Sequence, residues 1–412
     1  MLNLTTPETV GLSSRRLAAI PPHLNRYVDS GKLPGYQLLI ARRGQPAFFH
    51  QHGLRDVEAG LPVEADTIFR FYSMTKPITS VALLQLYERG LFQLNHPVSA
   101  YIPQFKNLTV FKSGDENAYE VEPLQRAVTF RDLFTHTAGF TYPSEAADSH
   151  PVDRLYAKRE IRGTPGATLA SMADKVAAIP LLFSPGMRWR YSIATDILGY
   201  LVELISGQTL DAYFAEHIFE PLGMVDTAFH VPANKIARFA ANYGYEKDEA
   251  GNDTMKLIDA PTTSSYLNPP TMPSGGGGLV STAADYLRFA QMLLNGGRWG
   301  GEQILGRKTV ELMTSNHLPN NGDLTSMGQA VFSETPYDGI GFGLGVSVMV
   351  EPAKAQILGS PGEYAWGGAA STAFWVDPVE QQIVIFLTQL MPSSTYPIRR
   401  ELRVLTYQAI VD

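Results

Sequence analysis

The chain has 412 residues, of which 44% are hydrophobic and 18% charged, so it can bury a large core and should form about two domains or one large bilobal unit. Its net charge of −7, with no run of Lys or Arg, argues against nucleic acid as a main partner. Because the sequence contains no cysteine, disulfides, thiolate metal sites and cysteine nucleophiles are excluded.

The predicted elements begin with a helix and a β-hairpin. An apolar stripe over residues 13–30 predicts the helix, and Pro21 and Pro22 should kink it or divide it into two short pieces. Residues 36–42 and 47–52 have strand composition and are joined across Gly44, which predicts the hairpin.

Helical periodicity dominates the middle of the chain. Helices are predicted at 73–89, 130–135, 170–178, 193–205 and 282–294. Gly90 and Gly207 are stop signals for two of them, and Thr282 and Asp285 stand in capping-box spacing at the start of the last. We therefore expect a mainly helical unit in this part of the chain.

Strand signals return near the C-terminus. Residues 341–350, 371–377 and 383–389 are rich in β-branched or aromatic side chains, and a helix is predicted at 396–410. Two strands at the start and three at the end predict one antiparallel sheet, closed by the two terminal helices, with the helical domain inserted between them. The long loops 141–169 and 259–278 are expected at the seam, where substrate clefts commonly lie.

Ser73 and Lys76 form the one Ser-x-x-Lys of the sequence, at the start of a predicted helix. The ring of Pro77 would clash with the carbonyl of Ser73 in a regular helix extending upstream, so the helix should begin at about Ser73. The positive field of the helix start, with partial desolvation, would lower the pKa of Lys76 and make its amine a base. The alternative is a serine N-cap followed by a surface lysine.

Two later segments complete an ordered set of motifs. Tyr191 and Ser192 stand immediately before the helix predicted at 193–205, and the small-residue turn WGGA at 366–369 precedes a strand. The same order of motifs occurs in serine penicillin-recognising enzymes. Over nearly its whole length the chain resembles the class C β-lactamase-like superfamily, and most closely its family VIII carboxylesterases.

This resemblance implies an α+β fold of the β-lactamase/transpeptidase type, with an antiparallel sheet of five or more strands flanked by the terminal helices. It implies a sheet domain made of residues 1–72 and 275–412, a mainly helical domain at 73–274, and an active site in the cleft between them. The substrate class that it implies is a small-molecule carboxylic ester with a short acyl chain.

The resemblance also implies catalytic roles. Ser73 would be the acylated nucleophile, Lys76 its neighbour in proton transfer, and Tyr191 the base that takes the serine proton and returns it to the leaving alcohol. Which of Lys76 and Tyr191 is the formal base stays open, because the two titrations are coupled. The backbone N–H groups of Ser73 and Ala369 would form the oxyanion hole.

Four residues are expected to contact the substrate. Gly367 and Gly368 would let a substrate carbonyl approach the main chain. Ile193 and Trp366 stand where β-lactamases have an asparagine and the lysine of Lys-Thr-Gly. Two polar side chains that contact the substrate in those enzymes are thus replaced by apolar ones. Trp366 could be a core aromatic or part of the cleft wall. We expect uncharged esters to be preferred, with at most weak β-lactamase activity.

Several alternatives stay open. An acyltransferase, or a D-amino-acid amidase or peptidase, could use the same fold, and a sensor that is acylated once is a third possibility. His136 is expected to hold a turn, His50 and His52 to lie on an exposed edge strand, and the glycines 275–278 to form a flexible loop beside the cleft. We expect neither a cofactor nor a metal, no nucleic-acid or membrane partner and a cytoplasmic protein; the sequence does not give the oligomeric state.

Overall fold

The computed structural model describes residues 2–162, 164–328 and 337–412. Its α-helices are α1 (Ser14–Leu17), α2 (Ile20–Asp29), α3 (Lys76–Glu88), α4 (Phe130–Phe134), α5 (Pro151–Lys158), α6 (Leu169–Ala177), α7 (Ala194–Ser206), α8 (Leu210–Phe214), α9 (Glu220–Leu222), α10 (Ala283–Leu294), α11 (Arg307–Met313), α12 (Leu324–Met327), α13 (Pro352–Ala355) and α14 (Ile398–Tyr407). Its strands are β1 (Gly35–Arg42), β2 (Gln45–Asp56), β3 (Leu61–Pro62), β4 (Phe69–Arg70), β5 (Thr109–Gly114), β6 (Tyr119–Pro123), β7 (Asn242–Lys247), β8 (Asp253–Asp259), β9 (Val280–Ser281), β10 (Arg298–Trp299), β11 (Glu302–Gln303), β12 (Ile340–Phe342), β13 (Ser347–Met349), β14 (Tyr364–Gly367), β15 (Ala373–Asp377), β16 (Gln382–Thr388) and β17 (Leu390–Met391).

An eight-stranded sheet joins the two ends of the chain. Its strand order is β12-β13-β14-β15-β16-β1-β2-β3, and neighbouring strands pair antiparallel. Strand β1 lies between β16 and β2, with Tyr36 opposite Thr388 and Arg42 opposite Gln382. The predicted antiparallel sheet of five or more strands is therefore confirmed.

The sheet is covered on both faces. Side chains along a strand point alternately to the two faces, so alternate residues of one strand belong to different cores. On β1, Leu38 and Ile40 pack into a core with Leu24 of α2 and Leu402 of α14, whereas Leu39 faces the core of the helical part. Every residue of β1, β15 and β16 is buried. The two terminal helices thus close one face, as predicted.

The helical part is built around α3. This helix is buried over most of its length and packs against α7, so its apolar residues point in nearly all directions rather than along one stripe. The first predicted helix is indeed two pieces, α1 and α2, with Pro21 and Pro22 in the first turn of α2. The division into domains at residues 72/73 and 274/275 stays a prediction. Among the described residues, the helices are too short or too polar to cross a membrane.

The single strand expected at 341–350 is wrong. The segment forms two short strands, β12 and β13, joined by a tight turn in which Gly343 N–H donates to the carbonyl of Val346. Gly345 has φ 94°, and a Cβ there would lie 2.0 Å from Ser80 Oγ on α3. The β5–β6 and β7–β8 hairpins were not predicted either, since much of their surface is polar and half-exposed.

Replacement of Gly345 by alanine should destabilise the protein, because the new Cβ meets both a left-handed backbone and Ser80. We expect the free energy of unfolding to fall by about 3 kcal/mol, measured by urea denaturation. The matched control is Gly44→Ala, which has φ 77° but no heavy atom within 4 Å of the new Cβ and should cost about 1 kcal/mol. Equal losses in the two variants would show that the approach to α3 does not matter.

Candidate active site

Ser73 lies at a sharp bend before α3. A 3-10 turn, Tyr72–Thr75, precedes the α-helix, which begins at Lys76 and so three residues later than predicted. Pro77 explains the late start, because proline is accommodated in the first turn of a helix but not in its interior. Tyr72 has φ 45°, a left-handed conformation that costs free energy in a residue other than glycine.

The amine of Lys76 is fully buried and surrounded by oxygen atoms. Its Nζ lies 3.2 Å from Ser73 Oγ, 3.1 Å from Tyr142 Oη and 2.6 Å from the carbonyl oxygen of Gly276. Burial lowers the pKa of Lys76 to about 7, while the charge of Asp196 opposes that shift. Near neutral pH, a large fraction of this amine can therefore accept a proton. The surface-lysine alternative is wrong.

Tyr191 completes a cluster with Ser73 and Lys76. Its hydroxyl hydrogen-bonds Ser73 and accepts a hydrogen bond from Trp366 Nε1 at 3.3 Å. The Nζ of Lys76 lies 4.6 Å from the centre of the Tyr191 ring. Burial raises the pKa of Tyr191 above that of a free tyrosine, and the hydrogen bonds with Ser73 and Trp366 only partly oppose this. The phenol is therefore protonated at neutral pH.

The turn between β14 and β15 brings main chain close to the serine. A Cβ on Gly368 would lie 2.3 Å from the carbonyl oxygen of Phe71, and a Cβ on Gly367 would lie 2.6 Å from the guanidinium of Arg399. Contacts within the protein thus favour glycine at both positions. Both glycines also line the cavity that Ser73 opens onto, so the approach of a substrate to them stays a prediction. Ala369 follows in the same turn, on the wall of the cavity that Ser73 opens onto.

That cavity has a volume of about 570 Å³ and an aromatic wall. Trp366 lines it, so the cleft-wall interpretation of this residue is correct. Five tyrosines of the described residues also line it: Tyr72, Tyr142, Tyr191, Tyr266 and Tyr337. A site of this size, mostly apolar with a few convergent polar groups, suits a small organic molecule.

Ile193 does not reach this cavity. It is the N-cap residue of α7, is fully buried and packs within the helical core, and it is absent from the described wall. The geometry therefore does not support the expected contact of Ile193 with the substrate. A residue two positions after a motif tyrosine can face the core when a helix begins at the next residue.

The glycine loop is packed, contrary to the flexible loop that was expected. Asp196 in the first turn of α7 accepts hydrogen bonds from Ser274 Oγ at 2.5 Å and from Gly276 N–H at 3.0 Å. A Cβ on Gly275 would lie 2.9 Å from the carbonyl oxygen of Thr195, and one on Gly276 would lie 2.8 Å from Asp196 Oδ2. The loop does border the cavity, as predicted.

Sequence reasoning missed two residues beside Lys76. Tyr142 lies in the loop predicted at the seam and has its ring centre 5.4 Å from that of Tyr191. Asp196 is fully buried and holds the glycine loop. An acidic residue in the first turn of a helix is common, so the sequence carried no specific signal for Asp196.

The three candidate histidines contact side chains other than Ser73. His136 follows α4 in a turn, as expected, with its ring centre 4.9 Å from that of Tyr191; burial keeps its pKa well below 6.5, so it is neutral. His50 and His52 lie in the part of β2 that pairs with β1 alone, and His52 contacts Asp29. Within the described ranges, no group of three or more His, Asp or Glu residues could hold a metal ion.

The comparisons with known proteins agree with this geometry. The family model described as Beta-lactamase matches residues 22–408. Protein Rv1367c of Mycobacterium tuberculosis is 34% identical over 368 residues, which cover 88% of each chain. Esterase EstB of Burkholderia gladioli is 32% identical over 399 residues, which cover 93% of each chain.

Among solved structures, EstCE1, described as a hydrolase with promiscuous acyltransferase activity, has a TM-score of 0.77 and 26% identity. The similarity covers 95% of this chain and 99% of that one. The predicted β-lactamase/transpeptidase-like fold is thereby confirmed, as is the resemblance to esterases of this superfamily. The chain belongs to the Beta-lactamase family, in its esterase branch.

Proposed function

We propose that this chain is a serine carboxylesterase that hydrolyses short-chain, uncharged esters through an acyl-Ser73 intermediate. The observation that carries the proposal is the contact of 3.2 Å between Ser73 Oγ and a buried lysine amine whose pKa is about 7. A serine hydroxyl is a weak nucleophile until a neighbouring base removes its proton. The esterases among the similar proteins support the same reaction.

Acylation begins when Ser73 Oγ attacks the ester carbonyl and its proton moves to the neutral amine of Lys76. Negative charge then develops on the carbonyl oxygen, which accepts hydrogen bonds from the backbone N–H groups of Ser73 and Ala369. Tyr191 is protonated, so it can donate its proton to the departing alcohol and regain one from Lys76. The C–O bond of the ester breaks, and an acyl-serine remains.

Deacylation repeats these steps with water in the place of the alcohol. The neutral amine of Lys76 takes a proton from water as the water attacks the acyl carbonyl. That proton passes to Ser73 Oγ as the bond between Ser73 and the acyl group breaks. A second alcohol could enter the same cavity, which makes acyl transfer the second candidate function. The acyltransferase activity of EstCE1 favours that alternative.

The aromatic wall accounts for the preference for uncharged substrates. Trp366 supplies an indole where the β-lactamase pattern has a lysine, and its one polar atom donates to Tyr191. Burying a carboxylate against such a surface costs free energy unless another group pairs with it. Trp366 thus favours neutral groups at its own place on the wall, whereas arginine side chains line other parts of the cavity. We propose small neutral esters as the substrate class, and the cytoplasmic location stays a prediction of the sequence.

Ser73→Ala should abolish hydrolysis of p-nitrophenyl acetate, with kcat falling at least about 10³-fold because the nucleophile is lost. An organophosphonate should form one covalent adduct, mapped to Ser73 by mass spectrometry. Ser80→Ala is the matched control: its hydroxyl is buried on α3 and makes no hydrogen bond to the described residues, so kcat should change less than about threefold. An adduct on a different serine contradicts the assignment.

The pH dependence should report Lys76. Because burial lowers its pKa to about 7, the amine loses its proton as the pH rises through that value, and only the neutral form accepts the proton of Ser73. kcat/KM for p-nitrophenyl butyrate should rise about tenfold per pH unit below the inflection and level off above it. In Lys76→Arg, which stays charged, the inflection should vanish. A flat wild-type profile from about pH 5.5 to 8.5 would contradict this role.

Trp366→Lys should shift the preference toward a β-lactam. The new ammonium can pair with the carboxylate of nitrocefin, whereas p-nitrophenyl butyrate loses an apolar wall. We expect the ratio of the two kcat/KM values to change at least about tenfold in favour of nitrocefin, which corresponds to about 1.4 kcal/mol. Trp366→Phe, which keeps the apolar wall, should leave nitrocefin turnover weak. An unchanged ratio in Trp366→Lys would mean that this position does not select against carboxylates.

A further inference from the structure

We propose that Arg399 is a positioning residue for the oxyanion hole: it holds and polarises the peptide group between Gly368 and Ala369. The inference rests on the proposed function and deepens it. Arg399 lies in the first turn of α14, on the side of the β14–β15 turn that faces this terminal helix. It was not singled out by the sequence.

One guanidinium nitrogen of Arg399 contacts both ends of the turn. Its Nη2 donates to the carbonyl oxygen of Gly368 at 3.0 Å and to that of Thr372 at 2.9 Å. The carbonyl of Gly368 and the N–H of Ala369 belong to the same planar peptide unit, so a contact at the oxygen acts on the nitrogen directly. That N–H is one of the two donors proposed for the substrate oxyanion.

The same two carbonyls close the turn. Gly368 N–H donates to the carbonyl of Thr372 at 2.9 Å, and Ser371 N–H donates to that of Gly368 at 3.1 Å. Ser371 has φ 67°, so the turn contains a residue in the left-handed region that needs support from its surroundings. Arg399 provides that support at both ends, which fixes the direction of the Ala369 N–H.

The two consecutive glycines fit this arrangement. Gly368 allows the turn to approach the carbonyl of Phe71, and hence the segment that carries Ser73. At Gly367, a Cβ would lie 2.6 Å from Nη2 and 2.7 Å from the central carbon of the Arg399 guanidinium. A side chain at Gly367 would therefore push the guanidinium away from the turn. Gly368 thus leaves room for the segment that carries Ser73, and Gly367 leaves room for the guanidinium of Arg399.

The electrostatic consequence is specific to the transition state. A charged donor on a carbonyl oxygen draws electron density from the peptide and strengthens its N–H as a donor, an effect of about 10–30% per bond in condensed phases. The full negative charge on the substrate oxygen exists only after Ser73 attacks, so the benefit appears in kcat and little in KM. A cation that merely attracted substrates would change KM instead.

The test compares Arg399→Ala with Arg400→Ala. Arg400 is the next residue of the same helix, but its guanidinium donates to the carbonyl of Gln356 rather than to the turn. Arg399→Ala should lower kcat for p-nitrophenyl butyrate about 10- to 100-fold, with KM changed less than about threefold. This loss is smaller than the loss of about 10²- to 10³-fold expected when an oxyanion donor is removed altogether. Affinity for butylboronic acid, whose tetrahedral adduct carries oxyanion charge, should fall by a similar factor. Arg400→Ala should keep kcat within about twofold.

Rescue separates a positioning role from a purely structural one. Guanidinium ion at about 50 mM should restore part of kcat in Arg399→Ala and leave Arg400→Ala unchanged. Arg399→Gln, which keeps donors but loses the charge, should also have a lowered kcat and boronate affinity, and it carries the test if the alanine variant does not fold. Wild-type kcat in a folded Arg399→Ala or Arg399→Gln overturns the inference. The inference is also overturned if the substitution changes KM rather than kcat, leaves the affinity for butylboronic acid unchanged and is not rescued by guanidinium.

The result can be told apart from failure of the proposed function. If Ser73→Ala loses esterase activity while Arg399→Ala and Arg399→Gln keep it, Arg399 has no part in the oxyanion hole and the serine mechanism stands. If Ser73→Ala keeps esterase activity, the proposed function fails. The inference about Arg399 then fails with it, because no acyl-serine would form at this turn.

Discussion

The buried amine of Lys76 is the constraint on which the rest of the site depends. An amine taken out of water is costly unless its hydrogen-bonding capacity is met, and here the oxygens of Ser73, Tyr142 and Gly276 surround it. These atoms come from three segments, the start of α3, the loop after α4 and the glycine loop. These three segments therefore meet at one nitrogen atom. Asp196 holds the glycine loop in place by accepting a hydrogen bond from the N–H of Gly276.

Burial then separates the proton affinities of two neighbours. The same desolvation lowers the pKa of Lys76 and raises that of Tyr191, because it always disfavours the charged form. A lysine that is partly neutral and a tyrosine that is fully protonated are thus placed around one serine hydroxyl. Groups whose environments push their pKa values apart are suited to act as base and acid in turn.

The sheet contributes the opposite wall of the site. Trp366 at the end of β14 donates to Tyr191 from the helical part, and Gly368 brings main chain against the segment before Ser73. The terminal helix α14 reaches the same turn through Arg399. The segment before Ser73 and the terminal helix α14 therefore both contact Gly368 in the β14–β15 turn.

The sequence by itself determined the elements with strong periodicity and the order of the three motifs, because these signals are local. It identified Ser73, Lys76 and Tyr191, which the structure brings into one cluster. It also placed Ile193 beside the substrate, whereas the start of α7 directs that side chain into the core. Only the tertiary structure decided the partners of these residues. Lys76 meets a carbonyl 200 positions away at Gly276, and no local pattern encodes which distant oxygen fills a buried hydrogen-bonding site.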